Sequence, residues 1–486
     1  MRSTLNLFFM KGAIAAGHPL TAAAGAHVLE AGGNAVDACV AAAVTSWVCE
    51  SMLTGPGGGG FMLVHEATSG RTVVLDFFVV VPRETAAGSL LELAVDFDGD
   101  TQQLFRTGAA AVAVPGVAAG LAEAHARWGT RPWPALVRPA AALARDGFEL
   151  TPMQGYLHQI LDGLLRHSPE GDAMYGFDGR AYRWGERFAL PELASTLDAF
   201  ADEGVEVLYR GALAEQIVAH VRAGGGALAL DDLASYAVLE REPVCVEYRG
   251  HEFRSNPPPS SGGVLIALGL QVLGDRDPAP AMVAHAMETQ EAVRSADFGR
   301  ALYRGRDALA VLKGTTHISV VDAEGNAASL SASLGSGSGV VVPGTGVHLN
   351  NMLGELDLMG AAQPGERLTS MMAPSLVLSN GRPRLVIGSA GSNRLRGAIL
   401  QVTANVVAGM PVGEAVEAPR VHAEGGVVHC EDPETAAALE AGGRTVVRWR
   451  ERNLYFGGVS AVEVRGEGTL AAAGDPRRGG AGLVVE

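Results

Sequence analysis

The sequence is poor in cysteine, in long apolar runs and in basic residues, and each shortage excludes a class of protein. Its 486 residues include four cysteines without CxxC spacing, which argues against a disulfide scaffold or a zinc site. No apolar stretch approaches the roughly 20 residues that a membrane-spanning helix needs. Lys and Arg total 37 against 53 Asp and Glu, a net charge of −16, without the basic stripe that nucleic acid requires. We therefore expect neither a nucleic-acid partner nor a membrane partner.

What is present suits a large folded protein. The chain is 48% hydrophobic, enough for a sizeable core, and its 64 glycines indicate many tight turns. The apolar patch at residues 5–10 is shorter than the core of a signal peptide, about 7–15 residues, which predicts a cytoplasmic location.

Hydrophobic periodicity divides the chain into two strand-rich regions and a mostly helical middle. Near the N-terminus it predicts a strand at 13–16, helices on both sides of Gly32-Gly33-Asn34, and a hairpin of strands at 61–65 and 72–81. Residues 115–312 read as mostly helical, ending in a helix over 281–302. Strand patterns then dominate 315–390, followed by a helix from 396 to 408. Sheets covered by helices on their outer sides would satisfy this order.

Two common binding motifs are excluded by their surroundings. Gly55, Gly57 and Gly60 form a GxGxxG pattern, but a helical segment precedes it and a strand follows, the reverse of a dinucleotide site. The histidines are scattered without ligand spacing, so we expect no metal site.

Thr315 is the most informative residue, because it follows Gly314 and opens an apolar run, Thr316 to Asp322. If the chain were cut at Gly314, Thr315 would carry a free α-amine beside its hydroxyl. An α-amine has an ordinary pKa near 8, and a hydroxyl needs such a base to become a nucleophile. Downstream, the turn at 388–394 could aim backbone N–H groups at an oxyanion, although it could equally be an ordinary strand-to-helix turn.

Several segments together resemble the γ-glutamyltranspeptidase family of N-terminal-nucleophile (Ntn) hydrolases, nearly end to end and in the family's order. The matching segments are His18-Pro19, Gly32 to Ala38, Gly57-Gly58-Gly59-Gly60-Phe61-Met62, Ala113-Val114-Pro115-Gly116, Pro257 to Gly263, Thr315-Thr316-His317 with Ser319-Val320-Val321-Asp322, and Leu349-Asn350-Asn351.

The resemblance implies an α+β fold, the four-layer αββα sandwich of Ntn hydrolases. It implies self-cleavage before Thr315, giving a large subunit of residues 1–314 and a small subunit of 315–486 that remain associated. Thr315 would form an acyl-enzyme with a small-molecule amide. Ser333 stands where the family places a hydroxyl beside the nucleophile, and Gly391 and Ser392 stand where it places the oxyanion donors. No cofactor is expected.

The positions that hold the glutamyl group in the family have changed. Phe78 replaces the Arg that grips the α-carboxylate, and an Arg cannot be replaced by Phe for bidentate binding. The other affected substrate-binding positions are Gly335 for an Asn, Met352 for a Gln, Glu355 for an Asp, and Ser370 with Met371 for a Ser pair.

Three functions remain open on this sequence. The protein could be a γ-glutamyl hydrolase or transferase whose carboxylate clamp is rebuilt from Arg83 or Arg394. It could be an amidase or acylase for a less polar acyl group, which Phe78, Met352 and Met371 favour, because buried charged groups without partners are costly. It could also be an uncleaved, inactive relative that only binds a small molecule. The acceptor and the oligomeric state are not encoded in any motif.

Overall fold

The computed structural model describes residues 10–97, 101–294, 315–355, 362–391 and 393–486. The strands are β1 (Gly12–Ala16), β2 (Gly59–His65), β3 (Thr72–Phe77), β4 (Leu91–Phe97), β5 (Thr101–Thr107), β6 (Phe148–Glu149), β7 (Gly176–Phe177), β8 (Arg180–Ala181), β9 (Arg187–Phe188), β10 (Leu239–Arg241), β11 (Val244–Tyr248), β12 (His251–Ser255), β13 (Thr316–Asp322), β14 (Ala327–Ser333), β15 (Val341–Val342), β16 (Val347–His348), β17 (Ser375–Ser379), β18 (Arg382–Ala390), β19 (Val421–Glu424), β20 (Val427–Cys430), β21 (Val446–Arg448), β22 (Gly458–Val464), β23 (Leu470–Gly474) and β24 (Ala481–Val485). The helices are α1 (Pro19–Glu30), α2 (Ala35–Cys49), α3 (Val117–Trp128), α4 (Trp133–Asp146), α5 (Pro152–Ile160), α6 (Asp162–Leu165), α7 (Pro169–Tyr175), α8 (Pro191–Glu203), α9 (Ala212–Ala223), α10 (Leu230–Ala234), α11 (Gly262–Leu273), α12 (Pro280–Ala292), α13 (Arg394–Val407), α14 (Val412–Glu417) and α15 (Pro433–Ala441).

Two antiparallel sheets make the centre of the molecule. The first has the order β10-β3-β2-β14-β13-β1-β24, and the second has the order β11-β12-β17-β18-β22-β23. Every residue of β2, β13 and β14 is buried, which requires cover on both faces of the first sheet.

The second sheet covers one of those faces. β13 and β14 pack on β18, and β13 also packs on β22. Hydrogen bonds also join the two sheets. The Ser319 hydroxyl of β13 donates to the carbonyl of Ser460 in β22 at 2.9 Å.

Helices cover the two outer faces. Asn34 caps the start of α2: its side chain accepts from the backbone N–H of Asp37, and the Asp37 carboxylate accepts from that of Asn34. This capping box fixes the start of an apolar helix in which all 15 residues are buried against the first sheet. α11, α13 and α14 cover the second sheet.

The predicted four-layer αββα sandwich is confirmed, and several predicted elements are found close to their expected bounds. The expectation of a mostly helical middle missed the short strands β6 to β12. Of these, β10 and β11 lie at sheet edges, and β12 pairs with both β11 and β17. The helix predicted over 281–302 is α12, which ends at Ala292; positions 295–302 lie outside the described residues, as does the apolar patch before Met10. No helix in the described ranges is long and apolar enough to cross a bilayer.

Candidate active site

Thr315 directly precedes β13, between β14 and β1 at one end of the sandwich. The last pair of the β13–β14 ladder is Thr316 with Ala332, so the next antiparallel position sets Thr315 beside Ser333. Because side chains alternate along a strand, Thr315 points to the same side as His317 and Ser319, between the sheets. Thr315 is only 3% exposed. Gly314, the other side of the predicted cleavage bond, lies outside the described residues.

The turn after Ser333 is held by that residue. Its hydroxyl oxygen accepts from the backbone N–H of Gly335 at 2.7 Å. Ser333 is buried, and the same residue pairs with Gly59 of β2. Its hydroxyl is therefore fixed at the strand end next to Thr315.

β18 brings the predicted oxyanion turn to the same end of the sandwich. Its last residue, Ala390, lines a small cavity together with Thr315. Gly391 follows with φ +120°, and a Cβ there would lie 2.5 Å from the Cα of Gly457. Only glycine fits this close approach of two backbones. The strand-turn-helix order predicted for 388–394 is found, while Ser392 lies outside the described residues.

The cavity beside Thr315 is small and lined by charged groups. Its volume is about 20 Å³, close to the space that one water molecule occupies. Its wall includes Thr316, Glu50, Asp475 and Arg478, together with Ser460 and Ala390. No motif in the sequence predicts these charged residues. One signal was present, because Glu50 is a single carboxylate that directly follows the apolar run of α2.

Glu50 binds the residue next to Thr315. Its carboxylate accepts from the hydroxyl of Thr316 at 2.7 Å and from that of Thr21 at 2.8 Å. Burial raises the pKa of Glu50, while those two hydroxyls and the charge of Arg478 oppose the rise. Burial lowers the pKa of Arg478 to about 10. Its Nε makes no hydrogen bond within the described part of the chain.

His317 is a neutral group inside the sandwich. Its Nδ1 lies 2.8 Å from the Ser331 hydroxyl and its Nε2 lies 3.0 Å from that of Ser319. Burial lowers the pKa of His317 to about 3, so the ring stays uncharged near neutral pH. Across the described residues, no group of three or more His, Cys, Asp or Glu could hold a metal ion.

Phe78 lies in an apolar environment where the resemblance predicted the lost carboxylate clamp. Its buried ring stacks on Phe61 with 5.4 Å between centroids and an interplanar angle of 23°. Its carbonyl accepts from the Tyr236 hydroxyl and from Nη1 of Arg367, both at 2.7 Å. Arg367 thus holds the backbone in place directly after β3. No motif in the sequence had indicated this residue.

The two candidate replacement arginines contact other groups. Arg83 pairs with Asp232 at 3.2 Å and donates to the Ser235 hydroxyl. Arg394 donates from Nε to the carbonyl of Tyr455 at 2.8 Å, with its guanidinium 4.3 Å from that ring's centroid. Neither lines the Thr315 cavity.

The remaining predicted positions form two groups. Gly335 has φ +77°, and a Cβ there would lie 2.1 Å from Oδ1 of Asn351 and 2.9 Å from Oε1 of Glu355. Gly335 and Glu355 are therefore neighbours.

Ser370 and Met371 belong to a segment next to Phe78, because the N–H of Leu368 donates to the carbonyl of Val79. The Ser370 hydroxyl accepts from the N–H of Met372. Met352 and Met371 are both buried, and Met352 shares one apolar cluster with Phe78. The positions that the resemblance assigns to substrate binding thus include three buried apolar side chains, Phe78, Met352 and Met371.

The fold and the threonine at the start of a central strand define the class of N-terminal-nucleophile hydrolases. A sequence model of the family described as Gamma-glutamyltranspeptidase matches residues 21–296 and 281–485. The chain belongs to the gamma-glutamyltranspeptidase family of Ntn hydrolases, and its relatives are named as amide-cleaving enzymes.

Two curated relatives span nearly the whole chain. The "Acylase ACY 1 proenzyme" of Pseudomonas sp. (strain SE83) is 35% identical, covering 98% of this chain and 94% of its own. The "Glutathione hydrolase proenzyme" of Pseudomonas aeruginosa is 33% identical, covering 98% and 95%. Among solved structures, a cephalosporin acylase from Bacillus halodurans superposes with a TM-score of 0.84 at 26% identity, covering 99% of this chain and 97% of that one.

Proposed function

We propose that the protein cleaves its own chain between Gly314 and Thr315 and then uses Thr315 as an amidohydrolase or acyltransferase nucleophile. The Thr315 hydroxyl attacks the Gly314 carbonyl carbon, and the peptide C–N bond breaks to leave an ester. Water hydrolyses that ester, so residues 1–314 end in a carboxylate and residues 315–486 begin with a free amine. The observation that carries this proposal is the position of Thr315, buried beside Ser333 at the start of a central strand. Relatives named as proenzymes support it.

In the mature enzyme, the α-amine of Thr315 accepts the proton of the Thr315 hydroxyl as that oxygen attacks the substrate carbonyl. The backbone N–H groups of Gly391 and Ser392 donate to the oxyanion, for which one such donor is worth about 3–4 kcal/mol. The Ser333 hydroxyl holds the nucleophile in place. The leaving amine takes the proton, and water or an acceptor amine then releases the acyl group.

The sheet order supports a mature protein in which the two subunits, 1–314 and 315–486, stay together. In the first sheet β13 and β14 lie between β1 and β2, and β24 pairs with β1 on its other side. Separating the subunits would expose both faces of a buried ladder. We expect association without any covalent link.

The acyl group of the substrate is less polar than γ-glutamyl. Phe78, Met352 and Met371 are buried and apolar, and the two nearby candidate arginines are engaged elsewhere. A γ-glutamyl carboxylate would be buried there without its charge-assisted partner, which costs several kcal/mol. The acylase names among the relatives agree with this choice. The other candidate, a γ-glutamyl hydrolase or transferase, is favoured by Glu355, a carboxylate suited to an ammonium group.

A matched pair of anilides tests the proposal and separates the two substrates. γ-Glutamyl-p-nitroanilide and pentanoyl-p-nitroanilide share a five-carbon acyl chain and differ in the two charged groups. After a rapid quench, the mass of the 315–486 subunit shows which acyl group is bound to Thr315. We expect the pentanoyl adduct, with kcat/KM at least about tenfold above that for γ-glutamyl.

Preferential γ-glutamyl transfer would show that other residues clamp the carboxylate and would overturn the substrate assignment. An adduct on a residue other than Thr315, or none with any amide, would overturn the mechanism. The Thr315→Ala protein is the matched control and should form no adduct.

A further inference from the structure

Two residues of opposite charge, Glu50 and Arg478, line the cavity of about 20 Å³ that Thr315 also lines. Glu50 reaches it from the end of α2, and Arg478 reaches it from the turn before β24. Glu50 also binds the hydroxyl of Thr316, so it contacts the nucleophile's own neighbour. Charged groups are seldom buried unless they serve binding or catalysis, or are paired.

The other ionisable groups around the cavity have their charges compensated. Asp475 forms ion pairs with Arg420 and, at 3.3 Å, with Arg477. Arg477 also pairs with Glu431. His317 is neutral. Cys49 contacts Thr21, and burial raises the pKa of its thiol well above its ordinary value. Arg478 also feels the charges of Arg394 and Asp475. Asp475 is paired with other arginines. Among the charged residues that line the cavity, Glu50 and Arg478 are therefore the two that form no ion pair within the described part of the chain.

We propose that Glu50 and Arg478 are positioning residues whose opposite charges act on the Thr315 α-amine across this cavity and set, in opposite directions, the pH at which that amine becomes a base. This inference rests on the proposed function, since it requires a free amine on Thr315. A nearby carboxylate favours the ammonium form, and a nearby guanidinium disfavours it. With both present, the two effects oppose each other, so the amine can still act as a base near neutral pH.

The test follows acylation of Thr315 by p-nitrophenyl acetate, which needs no knowledge of the natural substrate. The rate of acetyl addition to the 315–486 subunit is measured by mass across pH 5 to 10. The acidic side of this pH–rate profile, called the acid limb, reports the pH at which the Thr315 amine loses its proton. In Glu50→Gln the limb should move to lower pH, and in Arg478→Gln to higher pH, each by about one unit. In the double variant the two shifts should largely cancel.

Two variants control for structural damage. Arg478→Lys keeps the charge and should leave the limb near that of the wild type, and Glu417→Gln removes a carboxylate at the surface. A general loosening of the site would lower rates without moving the limb in opposite directions. If Glu50→Gln fails to fold, the comparison of Arg478→Gln with Arg478→Lys decides alone.

This inference would be overturned if the acid limb stayed fixed, or moved in the same direction, in Glu50→Gln and Arg478→Gln. Acetylation of Thr315 in those experiments would still support the proposed function. Absence of acetyl addition to Thr315 in the wild type would instead count against the proposed function itself.

Discussion

Gly335 shows how a single residue can constrain the path of the chain beside Asn351 and Glu355. Its φ of +77° is open to glycine, and the position of a Cβ is already occupied by the side chain of Asn351. An Asn at this place, as in the family pattern, would need a different path of the chain after Ser333. The backbone conformation at position 335 therefore does not accommodate the Asn side chain of the family pattern.

We predict that Gly335→Ala lowers the free energy of unfolding by about 2–5 kcal/mol, through backbone strain and the clash with Asn351. Chemical denaturation checks it. Gly344→Ala is the matched control, because Gly344 has φ +72° with open space around its Cβ position, so only strain of about 1–2 kcal/mol applies. Equal losses in both variants would show that Asn351 moves aside freely.

At the residue scale, sequence reasoning found groups that lie close together in a motif and missed those joined only by the fold. Thr315 and the turn at Gly391 are visible because each begins or ends an apolar run. Glu50 and Arg478 come from distant parts of the chain and share no motif, so only tertiary packing reveals that they face one cavity.

At the scale of elements, a buried charge cluster joins the turn before β24 to β19 and β22. Asp475 pairs with Arg420 and Arg477, and it accepts from the backbone N–H of Val459. Burial alone would raise the pKa of Asp475, but the two arginines outweigh burial and hold that pKa below its ordinary value.

We predict that Asp475→Asn destabilises the protein by about 3–5 kcal/mol at neutral pH, because it leaves buried guanidinium groups without their carboxylate. Since the folded-state pKa is lowered, this contribution is present above the unfolded pKa of about 3.9 and is lost as pH falls below it. Urea unfolding at several pH values should show the difference from wild type shrinking below about pH 4.

The exposed pair of Glu440 and Arg448 provides the control, and Glu440→Gln should leave stability unchanged at every pH. A constant difference between Asp475→Asn and wild type down to pH 2 would mean that the carboxylate charge does not stabilise the cluster.

Elements with a strong local signal were predicted well. The helix predicted to resume after Asn34 is α2, because a capping box and a run of Ala and Val specify it. The strands β10 to β12 were missed, because their exposed and half-buried residues are mixed without an apolar run. Short strands such as these take much of their stability from cross-strand partners, which a local pattern does not contain.

At the scale of the whole molecule, the fold class followed from the order of motifs along the chain. The sheet order shows what a cut before Thr315 would leave in place. β13 lies in the middle of a seven-stranded sheet, with strands of residues 1–314 on both sides of the β13–β14 pair. A cut before β13 can release an N-terminus without dismantling the sheet. The global architecture is thus compatible with a zymogen that matures in place.

Intact-mass analysis of the purified wild-type protein, with N-terminal sequencing, tests the central claim most directly. We predict two fragments, 1–314 and 315–486, with the second beginning at Thr315. Thr315→Ser should be cleaved in part, and Thr315→Ala should remain one chain without turnover, since one hydroxyl serves both reactions. A single full-length chain in the wild type, or the same cleavage in Thr315→Ala, would contradict the account.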